Sequence, residues 1–149
     1  MTAYALRTPQ RQAKAFKTTM TVLRLLFGLH FLVNGANFFF PFLKIAPPHS
    51  PMALMLMHAF VASGLFNFAK TTEVVTGILL LSNRFVPLAL VAAFPVACII
   101  AYVDVVLIGT WLGGWVLGGG TILLNAVLLF GYLRYYRPML TMKSEPGLA

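Results

Sequence analysis

Two carboxylates stand inside hydrophobic runs: Glu73 in AKTTEVVTGILLL and Asp104 in ACIIAYVDVVLIG. The third acidic residue, Glu145, sits in a polar tail. A charge in hydrocarbon is costly unless it is paired, neutralised or hydrated, so each buried acid marks either a functional site or a polar network. Lys70 precedes Glu73 by three residues, which on a helix brings the two side chains together. His30, Asn34 and Asn37 recur at i, i+4 and i+7 and so share one helix face. Asn125 supplies a further amide. The chemistry open to this set is proton acceptance at Glu73, tuned by Lys70, with Asp104 as a second carboxylate. His30, Asn34, Asn37, Lys70 and Asn125 are the candidate ligand-binding residues.

The rest of the chain must place these groups in a lipid-like solvent. Of its 149 residues 60% are hydrophobic and 9% charged, against about 25% charged in an ordinary soluble domain. Mean hydropathy is +0.87. The net charge of +8 sits at the ends of the apolar runs, which points to membrane topology rather than nucleic acid. One cysteine, Cys98, excludes an intramolecular disulfide and a CxxC pair; buried, it is a small apolar residue. HExxH, phosphate-loop and Ser/His/Asp patterns are absent from the sequence. Met52, Met55, Met57 and His58 could offer soft ligands to Cu(I), but apolar packing accounts for them, and no metal is expected.

The hydrophobic runs predict an all-α membrane protein. It is an antiparallel bundle of four transmembrane helices, with spans of about 20–42, 66–81, 85–108 and 115–133. These lie in a domain of 20–138, between a basic N-terminal segment, 1–19, and a tail, 139–149. The apolar run 52–60 is too short to cross and reads as an interfacial or re-entrant helix between spans 1 and 2. Ser82-Asn83-Arg84 reads as a tight turn, and 109–114 as a loop. The basic start resembles a signal peptide, but span 1 carries Arg24, His30 and Asn34 and no small-residue cleavage site, which favours a retained span. With the N-terminus inside, the inner set is Arg7, Arg11, Lys14, Lys17, Arg24, Arg84, Arg134, Arg137 and Lys143, and the outer set is Lys44 and Lys70. That asymmetry predicts cytoplasmic termini. Arg24 is expected to reach the inner phosphates with its long stem.

At 1.5 Å per residue, Glu73 lies roughly 10 Å below the outer interface, Asp104 roughly 6 Å, and Asn34 and Asn37 roughly 12 and 7 Å. His30, Cys98 and Asn125 fall near the midplane. Two readings are open: an internal hydrogen-bond network that joins helices, or a site in the outer half for a small polar or redox ligand. For Glu73, a Lys70 pair that only satisfies itself is a third. The glycines at 113, 114, 118, 119 and 120 read as a close-packing face.

The chain resembles the DoxX-like family of small four-span membrane proteins. The matching stretches are RLLFGLHFLVNGANFF, SGLFNFAKTTEVVTGILLLSNRFVPLAL and YLRYYRP, within about 20–138. The most specific pattern is K-x-x-E-x-x-x-G-x-L-L, carried by Lys70, Glu73, Gly77, Leu79 and Leu80. Relatives often carry P-x-x-x-N-x-x-x-x-H late in span 3; here that frame runs from Pro95 through Ile99 to Asp104. The resemblance implies a bacterial inner-membrane protein with a redox- or quinone-associated role, a quinone being the cofactor to expect. It also implies a membrane protein partner or a homo-oligomer, besides the lipid bilayer. The alternatives are a non-catalytic accessory subunit of a larger membrane complex and a small proton-coupled transporter. Against the transporter stand the absence of internal repeats and of interrupted helix pairs.

Overall fold

The computed structural model describes residues 7–45 and 47–140. Residues 1–6 of the basic segment and the tail from 141, with Lys143 and Glu145, lie outside the described residues. What is described is helical, with no strand among the described residues. The helices are α1 (Arg7–Phe39), α2 (Pro51–Ala62), α3 (Leu65–Leu81), α4 (Val86–Ile108), α5 (Trp111–Gly131) and the short α6 (Leu133–Tyr136).

Local chemistry sets the boundaries. The basic segment joins α1 because Arg, Gln, Ala and Lys are good helix formers, so α1 starts well before the expected span. It stops at Phe39, just before Phe40-Pro41, where the residue ahead of proline is disfavoured in helical conformation. α2 begins at Pro51 behind the cap Ser50, whose Oγ accepts from the Ala53 amide at 3.4 Å. Gly64, in the left-handed region at φ 76°, turns the chain from α2 into α3. The expected tight turn is present: Asn83 and Phe85 both take positive φ, 57° and 48°. The expected loop 109–114 shrinks to Gly109-Thr110, because the Thr110 side chain accepts from the Gly114 amide at 3.3 Å and starts α5 early.

Among the described residues three helices are long and apolar enough to cross a membrane: α1 from Gln10, α4 and α5. α3, at 17 residues, is about 25 Å long and just short of a hydrocarbon core of about 30 Å. It forms an 85° bent pair with α2, and the pair counts as a fourth crossing element if it is one broken span. An interrupted helix pair, not expected from the sequence, is therefore present. The outer surface agrees with lipid: Phe68, Phe85, Trp111 and Phe130 are at least 70% exposed.

α1 packs along α3, α3 on α4, α4 on α5, and α5 back on α1. Phe27, Phe31, Leu80, Leu90, Ala93, Ala97 and Leu128 fill the space between them. The α1–α3 crossing is the tightest. A β-carbon at Gly77 would lie 2.7 Å from Leu32 N and 2.8 Å from Gly28 O, so backbone meets backbone. Arg24 departs from expectation. It is buried, and Nη1 donates to Leu80 O at 2.6 Å. A cation placed on the last carbonyls of a helix meets the negative end of the helix dipole. Leu80 O, which also accepts from Asn83 N, takes Arg24 as a second donor, so Arg24 ties α1 to the end of α3. At the same end, Tyr136 Oη donates to Pro87 O at 2.9 Å. Burial, then Tyr132 beside it, pushes that hydroxyl up to about 12, so it stays a donor.

The glycines separate by role, and thermal unfolding in detergent will show it. Gly77→Ala should lose about 1–3 kcal/mol, because backbone atoms cannot swing away. Gly120→Ala, whose β-carbon meets nothing within 4 Å, should be neutral or gain roughly 0.5–1 kcal/mol. Equal effects at the two positions would contradict this packing.

Candidate functional site

The centre of the polar set is the Lys70–Glu73 pair on α3. Lys70 Nζ donates to both carboxylate oxygens at 2.9 Å, with the Glu73 side chain 1% exposed. One turn of helix supplies the spacing, and the ammonium also lies 5.2 Å from the Phe66 ring centroid. α1 makes room for the pair through Gly35, where a β-carbon would come within 2.9 Å of Glu73 Cβ and of Lys70 O. The neighbouring Asn34 lies near the Glu73 carboxylate but makes no hydrogen bond to it; among the described residues the carboxylate's partner is Lys70 alone. Lys70, Glu73 and Asn34 therefore form one cluster, in the register the sequence predicts.

His30 lies one turn away from Asn34 along α1, within electrostatic range of Lys70. Its partner comes from α5: Nε2 is 3.1 Å from Thr121 Oγ1, and that hydroxyl also donates to Leu117 O at 2.6 Å. Asn37 is committed locally. Its Oδ1 accepts from the amides of Phe42 and Leu43, at 3.0 and 2.6 Å, and Nδ2 donates to Leu43 O at 3.2 Å. It shapes the chain's exit from α1.

Asn125 stands apart from the cluster. It is fully buried, with Nδ2 donating to Leu90 O at 3.3 Å, and Oδ1 has no partner among the described residues. Asp104 is also separate. It lies where α4 changes from α-helix to a π-helical segment, Tyr102–Ile108, and its carbonyl accepts from the Gly109 amide at 2.9 Å in an i to i+5 bond. α5 opens with a second π-helical stretch, Trp111–Gly119. Asp104 is seated on the buried Gly114 and Gly118 of that stretch: a β-carbon at Gly118 would collide with the Asp104 side chain. The carboxylate is half-buried, in range of the Lys70 charge, and accepts no hydrogen bond from the described residues. The glycine face expected for packing is thus used within the chain, against an acid.

The cluster borders a groove of about 380 Å³ between α1, the loop after it and α5. His30, Asn34 and Asn37 give it polar atoms; Leu26, Leu29 and Leu117 give it apolar walls. Leu26 and Leu29 are half-exposed on the outer surface, so the groove opens sideways, toward lipid. A larger groove, about 700 Å³, runs over Tyr102, Val105, Trp115 and Gly119; both grooves are mostly apolar, and this one lacks a histidine or asparagine in its wall. Among the described residues no group of three His, Cys, Asp or Glu could hold a metal.

The sequence reading missed Thr121, Gly35 as the residue that admits the ion pair, and Leu117. Thr121 had a visible signal, since it and Asn125 are four apart on one face of α5. The fold and site define a class: a helical protein with membrane-length apolar helices around a buried ion pair. No family model, curated protein or solved structure matches the chain.

A double-mutant cycle tests the pair. Removing one partner of a buried ion pair costs roughly 3–5 kcal/mol, while replacing both by apolar residues is often neutral. Lys70→Met and Glu73→Leu should each destabilise strongly, and the double variant should unfold later than either single one. Additive losses would show that the two charges do not depend on each other.

Proposed function

We propose that the chain is a four-span protein of the bacterial inner membrane, with both termini cytoplasmic, in which the groove on α1 binds the polar headgroup of a small membrane-soluble molecule, a quinone or quinol. α1, α3, α4 and α5 are then the spans of an antiparallel bundle, and α2 is the half-inserted element set against α3. The observation that carries the reading is the groove's composition. It has two polar side chains not committed to the loop, His30 and Asn34, set among leucines and open to lipid. Its volume falls within the roughly 300–1,000 Å³ of small-molecule sites, which pair apolar walls with few polar groups. The DoxX-like resemblance, with its Lys70–Glu73 motif beside this groove, points to the same redox-associated role.

Roles follow from position. Asn34 meets the headgroup. Glu73 and Lys70 stand behind Asn34 as a pair whose charges satisfy each other. His30 is the ring in the groove able to accept a proton. Asn37 shapes the groove's rim, whereas Asp104 and Asn125 support α4 and α5. Nothing in the chain stores electrons, so the bound molecule or a partner protein carries them. An accessory-subunit reading is favoured by one feature: Gly119 and Gly120, open on the apolar groove of α4 and α5, would admit a helix of another subunit.

Binding of a short-chain quinone to purified protein in nanodiscs tests the proposal. Leu29→Trp should fill the groove and weaken binding about tenfold, and Glu73→Gln should weaken it severalfold by breaking the ion pair packed behind Asn34. Unchanged binding in both variants would remove this groove from the function.

A further inference from the structure

A neutral imidazole has one N–H and one lone pair, and which nitrogen holds the proton is set by the bond the other makes. At His30 the neighbour decides. Thr121 has a single hydroxyl proton, and the shorter contact, 2.6 Å to Leu117 O, takes it. The hydroxyl oxygen is then left to accept at 3.1 Å from His30, so Nε2 carries the imidazole proton and Nδ1 keeps the lone pair. Nδ1 has no partner among the described residues, yet it is not one of their sealed-off, unpartnered polar atoms. His30 is only partly exposed and lines the groove, so the groove is where that lone pair is reached.

We infer that the groove selects a hydroxyl-bearing headgroup, a phenol or the reduced form of a quinone, which donates its O–H to His30 Nδ1. This rests on the groove being a headgroup site, and it adds which form of the headgroup is held. An acceptor-only headgroup, such as the oxidised quinone or an aryl methyl ether, finds an acceptor facing an acceptor at His30 and must rely on Asn34 alone. Thr121 is then a positioning residue: it touches no ligand and fixes the tautomer that does. The inference concerns binding and requires no electron transfer.

The test uses full-length protein in nanodiscs at pH 8, above the ordinary imidazole pKa of about 6.5, with two probes of one size, an alkylated phenol and its methyl ether. The expected result is about tenfold tighter binding of the phenol. In Thr121→Val that preference should shrink to within about threefold, while the ether binds as before. Nitrogen-15 spectra of labelled histidine, with the His30 signals assigned by loss in His30→Gln, should show an unprotonated Nδ1 in the native chain. Equal binding of phenol and ether, both lost in Leu29→Trp, would overturn the selection and leave the groove as a site. Binding of neither probe, or binding indifferent to Leu29→Trp, would overturn the groove itself and this inference with it. A protonated Nδ1 would contradict the tautomer directly.

Discussion

An ammonium and a carboxylate buried side by side between α1 and α3 constrain most of what surrounds them. Such a pair survives in an apolar setting only with close geometry and further polar contacts. Lys70 meets both oxygens of Glu73 at 2.9 Å, Phe66 lies under the ammonium, and Asn34 lies nearby on α1. The α1 backbone must come very near, and Gly35 and Gly28 on α1 with Gly77 on α3 permit it. Once that crossing is set, α1 has a fixed rotation. Its polar stripe, His30 to Asn37, is carried past α3 to the seam with α5, where Thr121 waits for His30. The groove is the space left along that seam.

Asp104 answers a different constraint. It stands in the π-helical end of α4, against a π-helical start of α5 that has glycine wherever the acid needs room. π-helical turns are rare and recur at functional positions. Here the two widened helices meet around a carboxylate with no hydrogen-bonding donor among the described residues, at the end where α2 also packs on α4. The two acids in the apolar runs are thus unlike: one is neutralised by its own helix, the other is lodged on a neighbouring backbone.

Features local in sequence were readable in advance. Hydropathy located the apolar helices, and the three-residue spacing the Lys70–Glu73 pair; the ends were less legible, since span 1, expected to reach 42, stops at Phe39 ahead of Pro41. Features set by how one helix faces another were not. Thr121 lies 91 residues from His30, and nothing in either segment announces the other. Arg24 reads as a cation bound for the lipid surface until the end of α3 arrives beside it. The early start of α5 depended on Thr110 capping a glycine-rich stretch that otherwise reads as loop. Asn37 looked equal to Asn34 on the helix stripe, but its position at the end of α1 gives it to the loop backbone instead.

If the α1 groove is where a headgroup is held, the location of a bound probe measures it directly. A photoreactive phenol carried on a short alkyl chain, crosslinked in nanodiscs and mapped by peptide mass spectrometry, should label α1 between Leu26 and Asn37 and α5 near Leu117. Labelling concentrated on Tyr102, Val105 and Trp115 along the apolar groove of α4 and α5, or spread evenly over the lipid-facing surface, would contradict it.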